Sequence, residues 1–351
     1  MIAQLDRDYI RTRPTKALSR IVTHLLLQGR PLTTKHRWLN HALLAQYALV
    51  TRLPMLRRVD KPIFILGTGR SGTTILGKVL GFHHDLLFLN EPKALWHAAC
   101  PIDDVMGNYH LGEARYTLEA EDADETTARA IRRLYSYALL VTNSRRIVDK
   151  YPEMIFRVPF IKTIFPDAKL LFLVRNGYDA LRSITKWSQG SGRETSQGLE
   201  DWWGLNRRKW DLLVRDVVAK DDALADRAES IRRFTRHEDM AAVEWTVTMR
   251  TGLDLQQTRP GLLSFVSYEA LCREPARVLR QVCQDCELPD DPVWMGYAQR
   301  TLSPVPARKP TELDPLIADV FEDTMRRLGY PLDPVSSPGA AGAIPEGASP
   351  A

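Results

Sequence analysis

The sequence predicts an α/β protein, a parallel sheet flanked by helices on both faces, with an added N-terminal helical segment. Two observations carry that expectation. The runs Ile63–Leu66 and Lys169–Val174 are apolar on both faces, as strands buried between two helical layers must be. Around them, apolar residues recur at helical spacing, and strands that alternate with helices imply right-handed crossovers and a parallel sheet.

In chain order, residues 1–60 read as helical, with one or two amphipathic helices over residues 17–56. The first strand, Pro62 to Thr68, runs into a glycine-rich turn and then a helix from Gly72 to Gly81. A short apolar run follows at Leu86–Leu89, and residues 100–125 are polar and without period, which predicts a loop or lid. A helical pattern spans Thr126–Val141, a β-branched run sits at Ile147–Val148, and another helix is expected around Glu153–Phe165 before the strand Lys169–Val174. From 177 to 257 the pattern is mostly helical, with Trp202, Trp203, Trp210 and Trp245 as core or cleft aromatics. A third strand is expected at Leu262–Tyr268 and a helix at Pro275–Cys286. The Pro/Gly/Ala/Ser-rich residues 335–351 predict a disordered tail. The expected division is therefore an extension over 1–60, one domain over 61–334 and the tail.

Composition bounds the function. The net charge of +5 and a pI near 9.0 favour anionic ligands without implying nucleic acid. Four cysteines in 351 residues are too few for a disulfide framework. Cys283 and Cys286 form a C-x-x-C, but no second pair of ligands stands where zinc would need it, so two buried thiols in a helix are expected. No apolar h-region opens the sequence and no run reaches the roughly 18 apolar residues of a spanning helix. A cytoplasmic protein is the expectation, with peripheral membrane contact through residues 17–56 as the alternative for that segment.

The segment Gly67-Thr68-Gly69-Arg70-Ser71-Gly72-Thr73-Thr74 lies between a strand and a helix, the setting of a P-loop. Its glycines let successive N–H groups face one anion, and the following helix adds its positive end. The spacing fits the Walker A frame, yet Thr73 stands where a nucleoside-triphosphate enzyme places lysine. That lysine serves the β- and γ-phosphates, so a kinase is disfavoured. A second anion site is expected at Arg175, where the strand 169–174 ends, with Ser183 eight residues on in the next helix.

Arg70-Ser71-Gly72-Thr73-Thr74 resembles the 5′-phosphosulfate loop of sulfotransferases that use 3′-phosphoadenosine 5′-phosphosulfate (PAPS), in the arginine form of carbohydrate and protein-tyrosine members. The segment Arg175 to Ser183 is similar to the family's 3′-phosphate motif. Lys150-Tyr151-Pro152, Phe165 to Lys169 and Ser267 to Leu271 extend the likeness across roughly residues 61–330.

The resemblance implies PAPS as co-substrate, with no metal, held by Gly69, Arg70, Ser71, Gly72, Thr73, Thr74, Arg175 and Ser183. Ser303 and Lys309 are implied as further nucleotide contacts in a loosely aligned C-terminal segment. Arg70 and Lys150 are the expected catalytic cations. Glu91, in Leu89-Asn90-Glu91-Pro92 and 21 residues after Arg70, is the expected general base, placed by its run where a carboxylate projects over the sheet's ligand edge. His83, His84 and His97 are its rivals. Residues 100–125 and 186–215 carry no transferable motif, so the acceptor stays open between a carbohydrate, a lipid or natural product, and a peptidyl tyrosine. A nucleoside-triphosphate kinase and a non-catalytic nucleotide-binding relative are the alternative functions.

Overall fold

The computed structural model describes residues 5–29, 38–304 and 310–332. Its centre is a five-stranded parallel sheet built from β1 (Ile63–Gly67), β2 (Leu86–Asn90), β3 (Arg146–Lys150), β4 (Lys169–Val174) and β8 (Ser264–Ser267). The strand order is β2-β3-β1-β4-β8, so the chain reverses direction across the sheet beside β1. Side chains of a strand alternate between faces, and here the two faces feed two cores. Phe64 and Leu66 with Phe172 and Val174 enter one, and Ile63 and Ile65 with Leu171 and Leu173 enter the other.

Each strand hands the chain to a helix whose ends are set locally. After β1 comes α4 (Thr73–Gly81), whose cap is Gly72 at φ 99°. On the larger core lie α5 (Lys93–Ala99), α6 (Glu125–Thr142) and α7 (Val158–Ile164). Asp124 caps α6 by accepting from Thr127 N at 2.7 Å, and Asn143 ends it at φ 49°. Following β4, α8 (Gly177–Ser191) is capped by Asn176 and packs on α11 (His237–Thr258). On the other face α13 (Pro275–Cys286) opens on a proline, as P-x helix starts favour, and buries both Cys283 and Cys286.

The N-terminal helices α1 (Arg7–Thr12), α2 (Pro14–Leu26) and α3 (Leu39–Val50) are packed on this body. β2 is an edge strand, and an exposed edge invites pairing with another chain. Here the edge is capped by side chains: Lys16 Nζ donates to Leu86 O at 2.7 Å and Arg20 donates to Phe88 O. Tyr9 donates to Gly81 O and Arg13 to Phe82 O, which ties the extension to the end of α4.

Two sequence expectations differ from the structure, a third holds in part, and two helices had no expectation. Residues 193–205, expected as part of a helical run, form a three-stranded antiparallel sheet of β5 (Arg193–Thr195), β6 (Gly198–Asp201) and β7 (Gly204–Leu205). The strands are two to four residues long and turn at Gly198 and Gly204, both at positive φ, too short to show alternation. The helix expected around 153–165 is split into a 3-10 turn (Pro152–Arg157) and α7, because Pro159 has no N–H to continue a helix and is tolerated only in a first turn. Residues 100–125 are the expected loop, apart from two short 3-10 turns, but no open lid: Val105, Ala114, Tyr116 and Leu118 are buried in the core, and the fully buried Arg157 pairs with Asp103. Two C-terminal helices, α14 (Pro292–Thr301) and α15 (Pro315–Arg327), complete the body and went unread in the sequence. The tail expected over 335–351 lies outside the described residues. Among the described residues no helix is long and apolar enough to cross a membrane.

Candidate active site

The loop after β1 is held open by its glycines and closed around by aromatics. Gly67 has φ 135° and its Cα lies so close to β4 that a Cβ would meet Leu173 O at 2.6 Å. Gly72, at φ 99°, faces the ring of Tyr268, which a Cβ would strike at 2.2 Å. Arg70 sits between them at φ 66°, a left-handed conformation that costs a non-glycine residue energy and is typical of functional loops. The turn directs the first amides of α4 and the side chains of Thr73 and Thr74 toward one space.

That space is a cleft of about 400 Å³, and Arg175, Ser183 and Tyr268 line its other wall. Arg175 donates to the carbonyl of Arg70 at 3.1 Å, and its guanidinium lies 4.4 Å from the centre of the Tyr268 ring. Arg70 Nε in turn donates to Ser183 Oγ at 3.4 Å. The backbone that carries Arg175 is anchored by Trp245, whose indole N–H donates to Arg175 O. Burial lowers the pKa of Arg70, and nearby Glu91 opposes that effect. Three polar atoms around the loop, Thr68 Oγ1, Ser71 Oγ and Arg175 Nε, are buried without a partner among the described residues. Of these three residues only Arg175 lines the cleft; Thr68 and Ser71 are buried in the loop.

Glu91 and Lys150 end neighbouring strands. Asn90 is paired with Lys150 in the β2–β3 ladder, and Glu91 N donates to Lys150 O at 2.8 Å. The Lys150 ammonium, almost wholly buried, makes an ion pair with Glu91 Oε1, and Lys93 Nζ stands 3.8 Å from Oε2. Desolvation opposes ionisation of the partly exposed Glu91 carboxyl, but Lys150 and Lys93 outweigh it and hold the group well below the usual carboxylate range. Glu91 itself takes φ 50°, a second strained position at the sheet's ligand edge.

Residues 62–227 match the model of the sulfotransferase family. Over that span, just under half of its length, the chain is similar to this family. A curated relative, an uncharacterized protein of Aquifex aeolicus (strain VF5), is 27% identical over 261 residues, covering 70% of this chain and 28% of the relative. This chain thus spans well under half the length of the curated relative it matches. Among solved structures, sulfotransferase STF9 from Mycobacterium avium superposes with a TM-score of 0.45 at 14% identity, covering 94% of this chain and 93% of that one. The sulfotransferase domain of the Synechococcus PCC 7002 olefin synthase gives 0.44 at 19% identity, covering 77% and 96%.

The structure brings Arg70, Gly72, Thr73, Thr74, Arg175 and Ser183 to one cleft, with Gly69 and the fully buried Ser71 in the loop that forms it but not among its lining residues. Glu91 lies near enough to act on the ionisation of Arg70. Ser303 is exposed, its backbone beside the Cys272 thiol, and Lys309 lies outside the described residues. The rival histidines stand elsewhere. His83 and His84 precede β2, at the opposite edge of the sheet, where they meet Pro289 O and Asp291. His97 stacks on Tyr109 from α5. Two His/Asp groups, His83/His84/Asp291 and His97/Asp104/His110, have the density for a metal. In each the carboxylate is already engaged, Asp291 by Arg13 and Asp104 by the amides of residues 108–110.

Trp202 was expected as a core or cleft aromatic, while Lys93, Lys209 and Glu244 were missed in the sequence. Trp202 packs against Gly69, where a Cβ would meet its ring at 2.5 Å, and its indole donates to Glu244 at 2.6 Å. Glu244 is also paired with the buried Lys209, whose ammonium lies 4.5 Å from the Trp202 ring. Lys93 joins Glu91 to Glu153. Only Lys93 carried a signal, its place two residues beyond Glu91; Lys209 and Glu244 come from helices distant in sequence.

Proposed function

We propose that this chain transfers the sulfuryl group of PAPS to an acceptor hydroxyl, with residues 61–334 as the catalytic unit. The observation that carries the reading is the shared cleft: a phosphate-type loop and a separate Arg175/Ser183 pair are joined through Arg70, at 3.1 and 3.4 Å. One 5′-phosphosulfate and one 3′-phosphate match two anion sites of unequal build. The unpartnered Arg175 Nε, on a residue that lines the cleft, fits such a ligand's oxygens. Gly69, Arg70, Ser71, Gly72, Thr73 and Thr74 would hold the 5′ end, and Arg175 with Ser183 the 3′-phosphate. Ser303 and Lys309 are proposed as outer nucleotide contacts, on the sequence likeness alone.

The chemistry follows from where charge moves. Glu91 accepts the proton of the acceptor hydroxyl as its oxygen bonds to sulfur. The bond from sulfur to the 5′-phosphate oxygen breaks, and adenosine 3′,5′-bisphosphate leaves. Arg70 and the amides at the start of α4 stabilise the charge growing on that phosphate. Lys150 has two roles in this account. Paired with Glu91 it keeps the carboxylate ionised; drawn toward the sulfuryl oxygens it leaves Glu91 a stronger base, because removal of a nearby cation raises a carboxyl pKa. A carbohydrate, a lipid or natural product, and a peptidyl tyrosine all present the hydroxyl this scheme needs.

A nucleoside-triphosphate kinase is less well supported. Thr73 occupies the Walker lysine position, and Lys78, which also lines the cleft, is engaged by Asp6 at 2.7 Å. Transfer of label from [35S]PAPS to a panel of hydroxyl acceptors tests the reading. Transfer by the wild type that Glu91→Gln abolishes supports it; label retained on the nucleotide with every acceptor, alongside turnover of ATP, overturns it.

A further inference from the structure

Helix α2 is amphipathic in the reverse of the usual sense. A surface helix normally buries its apolar stripe and shows water its charges. In α2 the buried face carries Lys16, Arg20 and Thr23 with Ala17, and the two cations serve the edge of β2. The apolar stripe of Leu18, Ile21 and Leu25, at i, i+3 and i+7, points outward, with Leu18 62% and Leu25 59% exposed.

The stripe belongs to a larger surface. Eleven of the fifteen large hydrophobic side chains exposed among the described residues fall between Ile10 and Leu56. Both flanks of that surface rest on α6: Ser19 Oγ donates to Thr142 O at 3.3 Å, and Arg57 N donates to Ser136 Oγ at 2.8 Å, just after the exposed Leu53, Met55 and Leu56. Soluble monomers scatter exposed apolar residues singly, so a concentration of this kind marks an interaction surface. The charge of the same stretch identifies what it meets. From Tyr9 to Val59 the sequence holds ten Lys and Arg and no Asp or Glu, in a chain whose overall excess is only five. Arg11, Arg52 and Arg58 are exposed within it, Arg58 paired with Asp60, whereas Lys16 and Arg20 are buried and Arg13 pairs with Asp291.

We infer that this face docks on an anionic lipid bilayer. Apolar side chains at a helix face enter the boundary between headgroups and acyl chains, and flanking Lys and Arg are drawn to anionic headgroups. A second copy of this chain is a poorer occupant, since two such basic faces repel each other. Trp38, 67% exposed at the start of α3, suits the interface by its amphipathic ring. The segment is held to the enzyme body by its buried cations, so it lies on the membrane as part of the folded domain and does not span it.

The test is co-sedimentation of the full chain with vesicles of phosphatidylcholine plus phosphatidylglycerol, against phosphatidylcholine alone. Expected are binding to the anionic vesicles that weakens as salt is raised, and a loss of about tenfold or more in Leu18→Ser/Leu25→Ser. Leu199→Ser/Val293→Ser, which removes exposed apolar side chains elsewhere, is expected to bind as the wild type does. Brominated phosphatidylglycerol is expected to quench tryptophan fluorescence in the wild type and not in Trp38→Phe, a readout that stands should the double variant fail to fold. Equal recovery of wild type and double variant on vesicles, or no binding with no quenching, overturns the inference. A wild-type dimer that the double variant turns into a monomer also overturns it, by assigning the face to a second copy.

Discussion

Glu91 extends the β2–β3 ladder by one residue: its N–H donates to the carbonyl of Lys150 at 2.8 Å while its carboxylate takes the Lys150 ammonium. Backbone and side chain thus fix the same two residues to each other at the ligand edge of the sheet. The pair is the proposed base and one of the proposed cations, and its geometry leads to a prediction about pH.

Glu91→Gln is expected to leave binding of adenosine 3′,5′-bisphosphate near the wild-type level and to cut turnover by about 10²–10⁴-fold. Because the carboxyl of the free enzyme lies below its unfolded value, it stays ionised from neutral pH down through pH 5, and the wild-type kcat/KM should show no acid limb from this group in that range. Lys150→Ala removes the cation that lowers it, so an acid limb should move up toward neutral pH. Rate profiles of both proteins check the direction.

Gly72→Ala places a methyl group on the Tyr268 ring at a φ of 99° that alanine resists. Binding of adenosine 3′,5′-bisphosphate should be lost or greatly weakened. Gly190→Ala is the matched control, a helical glycine in α8 with no atom within 4 Å of the added group. It should bind normally and gain about 0.5–1 kcal/mol of stability.

Asp149 lies in β3 beneath the site, fully buried, and accepts from Tyr135 and Trp96. Burial pushes its carboxyl up to about 7 despite those donors. The folded state therefore holds a proton that the unfolded chain releases near 3.8, and stability falls as pH rises between those two values. Asn cannot ionise. Asp149→Asn should gain in Tm relative to the wild type at pH 8 and lose that advantage at pH 5.

Lys16→Met and Arg20→Met strip the cap from the edge of β2. Each leaves a strand carbonyl without its charged donor, a loss of about 1.5–3 kcal/mol in a denaturant titration. The same variants uncover a strand edge, so light scattering on storage should rise.

The parts of this protein that were legible in its sequence are those where local pattern and tertiary role coincide. β1 and β4 are apolar on both faces because both faces are buried, and the loop at 67–72 shows its turns as glycines. Arg175 and Ser183 could be paired because one strand end and the next helix carry them. What could not be read has a common cause. β5, β6 and β7 are too short for a period, and Trp202, Lys209 and Glu244 meet only through the packing of α11 against the sheet insert. The reversed amphipathicity of α2 was hidden for another reason: the pattern shows an apolar stripe, but which side faces water is decided by the unpaired carbonyls of β2.

The central claim is that the cleft recognises a nucleotide phosphorylated at both 3′ and 5′ positions, with Arg175 reading the 3′ group. Calorimetric titration of adenosine 3′,5′-bisphosphate against ADP and ATP, on wild type and Arg175→Ala, tests it directly. The account predicts preference for the bisphosphate and a loss of about ten- to a hundredfold in the variant, the size of one charge-assisted contact. Binding of ATP as tight as or tighter than the bisphosphate, unaffected by Arg175→Ala, would contradict it.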